Sequence, residues 1–236
     1  MAELVIDKRA MVASIPIFSD LEDAELDGLL DIAMTRTLGA DELLFERGAE
    51  GNEFFTIMEG RLKATAEGSD GRELVFSIME RGEVIGEIAL FDGEPRSLRV
   101  TAIEPSRLLV IHRPDFMRFL GRYPAVAIKL LSALARRVRA ATSMVEDAVF
   151  MNVTSRLAKR LIHLARVYGE HTPRGLRIGI KLSQRELGEL IGASRETVNK
   201  QLRTWVDADV LDWGEDGAIT IRSPEGLETL AMLSSL

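Results

Sequence analysis

The sequence predicts an α+β chain: an N-terminal double-stranded β-helix (jelly roll), a long helix, and a C-terminal winged helix-turn-helix. Three observations predict it. Short apolar runs punctuated by glycine fill residues 38–111, an unbroken heptad pattern runs from Pro124 to Asn152, and Leu182–Val206 reads as helix, tight turn, helix. Those features divide the 236 residues into segments 1–123, 124–152 and 153–236.

Hydrophobic content of 46% and charged content of 28% describe an ordinary globular chain, and no apolar run approaches the ~18 residues of a membrane span. The first 18 residues carry two acids early and lack a long apolar stretch, so no secretory signal is expected. With no cysteine there is no disulfide framework and no thiolate metal site. A cytoplasmic location is expected. The net charge of −7 is unevenly spread. Residues 1–128 hold 14 basic against 24 acidic side chains, residues 129–206 hold 15 against 6, and residues 207–236 hold one against seven. A basic middle between acidic flanks fits a nucleic-acid face on one part of the molecule.

The first segment, to about Arg36, reads as short helices, with Ser19-Asp20 opening a run that carries Leu21, Leu26, Leu29 and Leu30. From Leu38 to Ile111 the runs DELLF, FFTIMEG, RLKATA, ELVFSIM, SLRVTAIE and RLLVIH alternate with glycine-containing turns. Five- or six-residue strands at regular spacing indicate a small barrel or jelly roll. Pro114 then opens a further helix.

Ala127, Leu131, Leu134, Val138, Ala141, Val145, Ala148 and Asn152 follow alternating spacings of four and three. Such a stripe is a coiled-coil seam, so this helix is expected to pair with a copy of itself, with Asn152 near the end of the seam. Residues 153–169 continue as an amphipathic helix with Leu157, Leu161 and Leu164 as its ridge. A loop, EHTPRG, and a strand, LRIGIKL, lead to the helix pair.

In that pair, Ser183 stands three residues before Glu186 as a capping box, Gly192 supplies the break, and Ser194 caps the second helix. Val198, Leu202 and Val206 line its inner face; Arg195, Glu196, Asn199, Lys200 and Arg203 crowd the other. A guanidinium can bond guanine O6 and N7 in a bidentate way, and a carboxylate can accept from cytosine N4. These pairings point to double-stranded DNA as a partner. Past Val206, VLDW-GEDG-AITI reads as a hairpin with Gly217 near its turn, which completes a winged helix.

A second constellation lies between the strands: Gly86-Glu87-Ile88-Ala89-Leu90-Phe91-Asp92-Gly93-Glu94-Pro95-Arg96-Ser97. Gly86 allows close backbone approach, Glu87 is an acceptor suited to a ribose hydroxyl, Arg96 offers a planar fork for two phosphate oxygens, and Ser97 adds a hydroxyl. One acid for a sugar and one arginine for a phosphate is the logic of a nucleotide site.

With this cassette and Ser194-Arg195-Glu196-Thr197-Val198 in the second helix, the chain resembles the bacterial CRP/FNR family over residues 10–225, closest to its cyclic AMP receptor group. The resemblance implies an N-terminal cyclic-nucleotide-binding domain, a dimerisation helix, and a homodimeric regulator that reads palindromic TGTGA-like sites and contacts RNA polymerase. It places Gly86, Glu87, Ile88 and Ala89 in the ligand cassette, with Glu87 on the ribose 2′-hydroxyl and Arg96 with Ser97 on the cyclic phosphate. Thr142 and Ser143 match the adjacent Thr-Ser pair that contacts adenine from both subunits, which favours cyclic AMP as allosteric ligand. Base contacts fall to Arg195, Glu196 and Lys200, and phosphate contacts to Ser183, Arg185 and Ser194. Lys200 stands where cyclic AMP receptors often carry arginine, so it keeps the charge without the fork. Leu98-Arg99 depart from the family's small residue after the serine; a bulky Leu98 would crowd the pocket, and Arg99 would suit a more anionic ligand such as a cyclic dinucleotide. A family member answering to another effector, or to none, is the alternative.

No Ser/His/Asp or paired-carboxylate set suggests an enzyme. His112, His163 and His171 are too scattered for a metal site, and Trp205 and Trp213 read as packing.

Overall fold

A computed structural model describes residues 8–69, 71, 73–180, 182–214 and 217–232. They group into two compact units, Met1–Ala66 with Phe76–Val138, and Glu67–Val75 with Arg139–Leu236.

The first unit begins with helices α1 (Lys8–Ala13) and α2 (Asp23–Asp31). Glu25 reaches back to the Glu22 amide at 2.8 Å and starts α2, so Ser19 and Asp20 do not open it. They hold Lys129 instead, at 3.0 and 2.8 Å. Strand β1 (Ala33–Leu38) already occupies residues expected to be helical. The strands β2 (Leu43–Phe45), β3 (Glu53–Glu59), β4 (Leu62–Glu67), β5 (Glu73–Met79), β6 (Val84–Ile85), β7 (Arg99–Ala102) and β8 (Ser106–His112) follow, with a short helix α3 (Glu87–Asp92) between β6 and β7. They form two four-stranded sheets, β1-β8-β3-β6 and β2-β7-β4-β5. This is the expected jelly roll.

β3 reads FFTIM without alternation because both of its faces are covered. Phe55 and Ile57 join Leu62, Val100, Leu108 and Val110 inside the roll. Phe54 and Met58 face a second core with Leu29, Leu109, Ile111 and Phe116, where the rings of Phe54 and Phe116 stack 4.1 Å apart. Helix α4 (Arg113–Arg122) has its proline in the first turn, as expected, and supplies Phe116 and Phe119 to that core. Long helix α5 (Pro124–Phe150) anchors there through Val126 and Leu130. Its heptad residues Leu131, Val138 and Val145 stand 61–64% exposed.

α5 ends before Asn152. Asn152, expected near the end of the heptad stripe, is the N-cap of α6 (Val153–Tyr168), accepting from the Ser155 amide at 2.9 Å. The first half of the segment read as the loop EHTPRG belongs to a strand, β9 (Gly169–Thr172), paired antiparallel with β10 (Gly175–Ile178). α7 (Gln184–Ile191) and α8 (Arg195–Asp207) follow, then β11 (Leu211–Trp213) and β12 (Ile219–Ile221), giving the sheet β11-β12-β10-β9. Lys181 of the expected strand and the Glu215–Asp216 tip of the expected hairpin lie outside the described residues, as do Asp70 and Arg72 in the turn before β5. A last helix, α9 (Pro224–Met232), unforeseen in the sequence, packs on α6.

Candidate ligand pocket and nucleic-acid interface

Arg96 organises the first site. It follows the turn after α3, and its backbone is held at both ends: its amide donates to Ala49 O and its carbonyl accepts from Gly48, each at 2.8 Å. The side chain is buried, at 5% exposure. One terminal nitrogen donates to Gly86 O at 3.0 Å and the other to Glu53 O at 2.7 Å. The guanidinium lies over the ring of Phe45, 4.3 Å from its centroid, and 5.6 Å from that of Phe55. Its buried Nε has no hydrogen-bond partner. Burial lowers the pKa of this guanidinium, while the charges of Glu53 and Glu87 act the other way. A buried arginine with a donor left over has the chemistry of an anion site.

Gly86 makes this approach possible. It has φ 84°, and a Cβ there would stand 2.2 Å from Arg96 Nη1. A Cβ on Gly51 would stand 2.3 Å from that of Ala89 and 3.3 Å from Arg96 Nε. The two glycines leave space only for backbone.

Glu87 is the most buried carboxylate of the cassette, at 2% exposure. It is ion-paired with Arg137 of α5, which also donates to Val84 O. Arg137 was not foreseen; its one sequence signal is a cation just before the seam residue Val138. Among the expected ligand residues, the fold brings Gly86, Glu87, Ala89 and Arg96 together. Ile88 points outward at 43% exposure, and Ser97 is exposed at the rim. Thr142 and Ser143 belong to the second unit, where Ser143 accepts from Lys159 at 3.3 Å. Leu98 packs against the interior of the roll, whereas Arg99 faces outward and pairs with Glu46 at 3.5 Å.

In the second unit, Ser183 accepts from the Glu186 amide at 3.2 Å while Glu186 accepts from the Ser183 amide at 2.7 Å, the expected box. Gly192 ends α7 in the left-handed region at φ 66°. Arg156 of α6 donates to Ile191 O at 3.1 Å and Arg160 to Leu190 O at 3.4 Å, satisfying carbonyls at the end of α7. Ser194 caps α8, accepting from Thr197 N at 3.2 Å. Val198 and Leu202 are buried beneath it as expected, but Val206 is exposed and Trp205, one residue earlier, is buried in its place; Trp213 is half-buried. Arg195, Glu196 and Lys200 are exposed on the outer side and line one concavity of about 700 Å³. Arg185 is exposed but bonded to Glu189 at 2.7 Å.

Residues 35–123 match the family model of a cyclic nucleotide-binding domain, and residues 155–230 that of a Crp-like helix-turn-helix domain. A CRP-like cAMP-activated global transcriptional regulator of Mycobacterium tuberculosis is 31% identical over 201 residues, covering 83% of this chain and 90% of its own. The cyclic AMP receptor protein of Thermus thermophilus is 29% identical over 216 residues, covering 92% and 96%. The fold is shared with a CooA mutant of Carboxydothermus hydrogenoformans at a TM-score of 0.76, with 18% identity and coverage of 86% and 90%. It is shared as well with the c-di-GMP responsive regulator CLP of Xanthomonas campestris at 0.74, with 22% identity and coverage of 85% and 99%.

A cyclic nucleotide-binding domain on the same chain as a Crp-like helix-turn-helix domain defines a ligand-responsive DNA-binding protein. This chain belongs to the CRP/FNR family of bacterial transcription regulators. It is a cyclic-nucleotide-responsive regulator, of a family that binds DNA and is not one of enzymes.

Proposed function

We propose that the ligand is cyclic AMP and that it gates a homodimer on palindromic TGTGA-like sites. The observation that carries the ligand reading is the buried Arg96 fork with its unpartnered Nε, beside the buried Glu87. In this reading Arg96 and Ser97 take the cyclic phosphate, Glu87 takes the ribose 2′-hydroxyl while sharing Arg137, Gly86, Ile88 and Ala89 shape the cassette, and Thr142 and Ser143 approach the base. The M. tuberculosis and T. thermophilus relatives, named for cyclic AMP, favour that nucleotide. Arg99, turned outward to Glu46, offers nothing to a second phosphate, which argues against a cyclic dinucleotide.

Residues 1–123 bind the ligand, 124–152 pair with a second copy, and 153–236 read DNA. The exposed stripe of Leu131, Val138 and Val145 supports the pairing. Two-fold symmetry then requires an inverted repeat, with recognition helices about 34 Å apart. Arg195, Glu196 and Lys200 contact bases, and Ser183, Arg185 and Ser194 lie near phosphates. RNA polymerase is the protein partner and the cytoplasm the location; among the described residues no helix is long and apolar enough to cross a membrane.

Calorimetry tests the ligand. Cyclic AMP binds the wild type, and Arg96→Lys, which keeps the charge but loses the fork, weakens it at least tenfold. Tighter binding of cyclic di-GMP than of cyclic AMP would overturn the assignment.

A further inference from the structure

One polar pair on the DNA face has no part in the reading above. The Nδ2 group of Asn199 in α8 donates to Oε1 of Gln184, the first residue of α7, at 2.8 Å. Asn199 lies four residues after Arg195 and three after Glu196, so the three share one side of α8. It opens on the same concavity as Arg195, Glu196 and Lys200. Both amide side chains are half-buried, whereas those neighbours are exposed.

Asparagine is a poor choice within a helix, because its side chain competes for backbone hydrogen bonds. Here that tendency is checked, since Gln184 takes one of its two N–H groups. The bond leaves Oδ1 and the second N–H of the same planar amide. An acceptor and a donor side by side match adenine, whose major-groove edge offers the N6 donor and the N7 acceptor. Holding the amide in one orientation before DNA arrives removes part of the ordering cost that a free side chain would bear.

We infer that Asn199, braced by Gln184, is a further specificity-determining residue of the DNA interface and reads the adenine of an A·T pair. Gln184 acts as its positioning residue. The inference rests on the DNA reading of α8, and the Asn199–Gln184 bond sets it apart from the charged contacts around it. A bidentate contact of this kind discriminates about 5- to 150-fold between the right base and a wrong one.

Selection of half-sites from a randomised duplex library, using the full-length protein with and without cyclic AMP, tests it. The wild type selects an A·T pair at one position that Asn199→Ala leaves degenerate, with the other positions unchanged. Gln184→Ala weakens the preference at that same position. Asn199→Asp retains an acceptor for the Gln184 amide but presents acceptors only, so its preference moves to C·G, whose cytosine N4 donates. An identical base preference in the wild type and Asn199→Ala would overturn the inference and leave DNA reading intact. No base preference in the wild type would overturn DNA reading itself. Thermal melting of each variant separates a lost contact from a lost fold. Asn199→Asp provides the second safeguard, because a mere brace between α7 and α8 would not change which base is chosen.

Discussion

Arg96 combines burial, charge and an unused donor, and each follows from a neighbour. Gly86 and Gly51 let the backbone close around it, Phe45 and Phe55 exclude water, and the carbonyls of Glu53 and Gly86 leave Nε over. Glu87 is the complementary case, a buried carboxylate whose charge is matched by Arg137. Removing the cation strands the acid, so Arg137→Ala should destabilise the protein by about 2–3 kcal/mol. Chemical denaturation measures this, and Arg137→Ala combined with Glu87→Gln should recover most of the loss. The cassette chemistry was legible because glycine, acid and arginine stand within one short segment. Arg137 was not, since nothing in Arg136-Arg137-Val138-Arg139 says which cation turns towards an acid of α3 50 residues earlier.

At the scale of elements, local chemistry decided the boundaries. Ser183, Glu186, Gly192 and Ser194 bond as their spacing implied, because a cap needs only its own turn. Asn152 ends the heptad pattern for the same reason: its side chain accepts from Ser155 N, which starts a new helix in preference to extending α5. Asn152→Ala should therefore cost about 1 kcal/mol through α6, read from the unfolding midpoint, and should not strengthen pairing of α5. β1 takes its identity from pairing with β8, far along the chain, and β9 from pairing with β10, since its own residues Glu170, His171 and Thr172 show no apolar alternation. Gly86→Ala should abolish cyclic-nucleotide binding, since φ 84° disfavours a Cβ and the added carbon meets Arg96. Acid stability has a local term as well. Arg61 bonds Glu104 at 3.0 and 2.8 Å and lowers its pKa, so the pair's contribution is present above the unfolded value and lost as pH falls through the lower, folded one. Arg61→Gln should flatten that acid limb in a pH titration of stability.

At the scale of the molecule, the exposed apolar row on α5 carries the proposed pairing of two copies. Isolated apolar side chains on a surface are ordinary, but Leu131, Val138 and Val145 recur every seven residues on one helix. A charge in that row would be buried unpaired on pairing. Val138→Asp should yield a monomer by sedimentation, with loss of operator binding far exceeding its effect on cyclic AMP affinity. The exposed apolar row was legible from periodicity alone. The relation of ligand to DNA was not, because it depends on which of two arrangements the nucleotide favours, and a ligand can shift that equilibrium only by its differential affinity.

Operator affinity measured with and without saturating cyclic AMP tests that relation most directly. A coupling of about 1–3 kcal/mol predicts a 5- to 150-fold tighter complex with the nucleotide, and no change in the Arg96→Ala variant. Equal affinities for the wild type in the two conditions would contradict it.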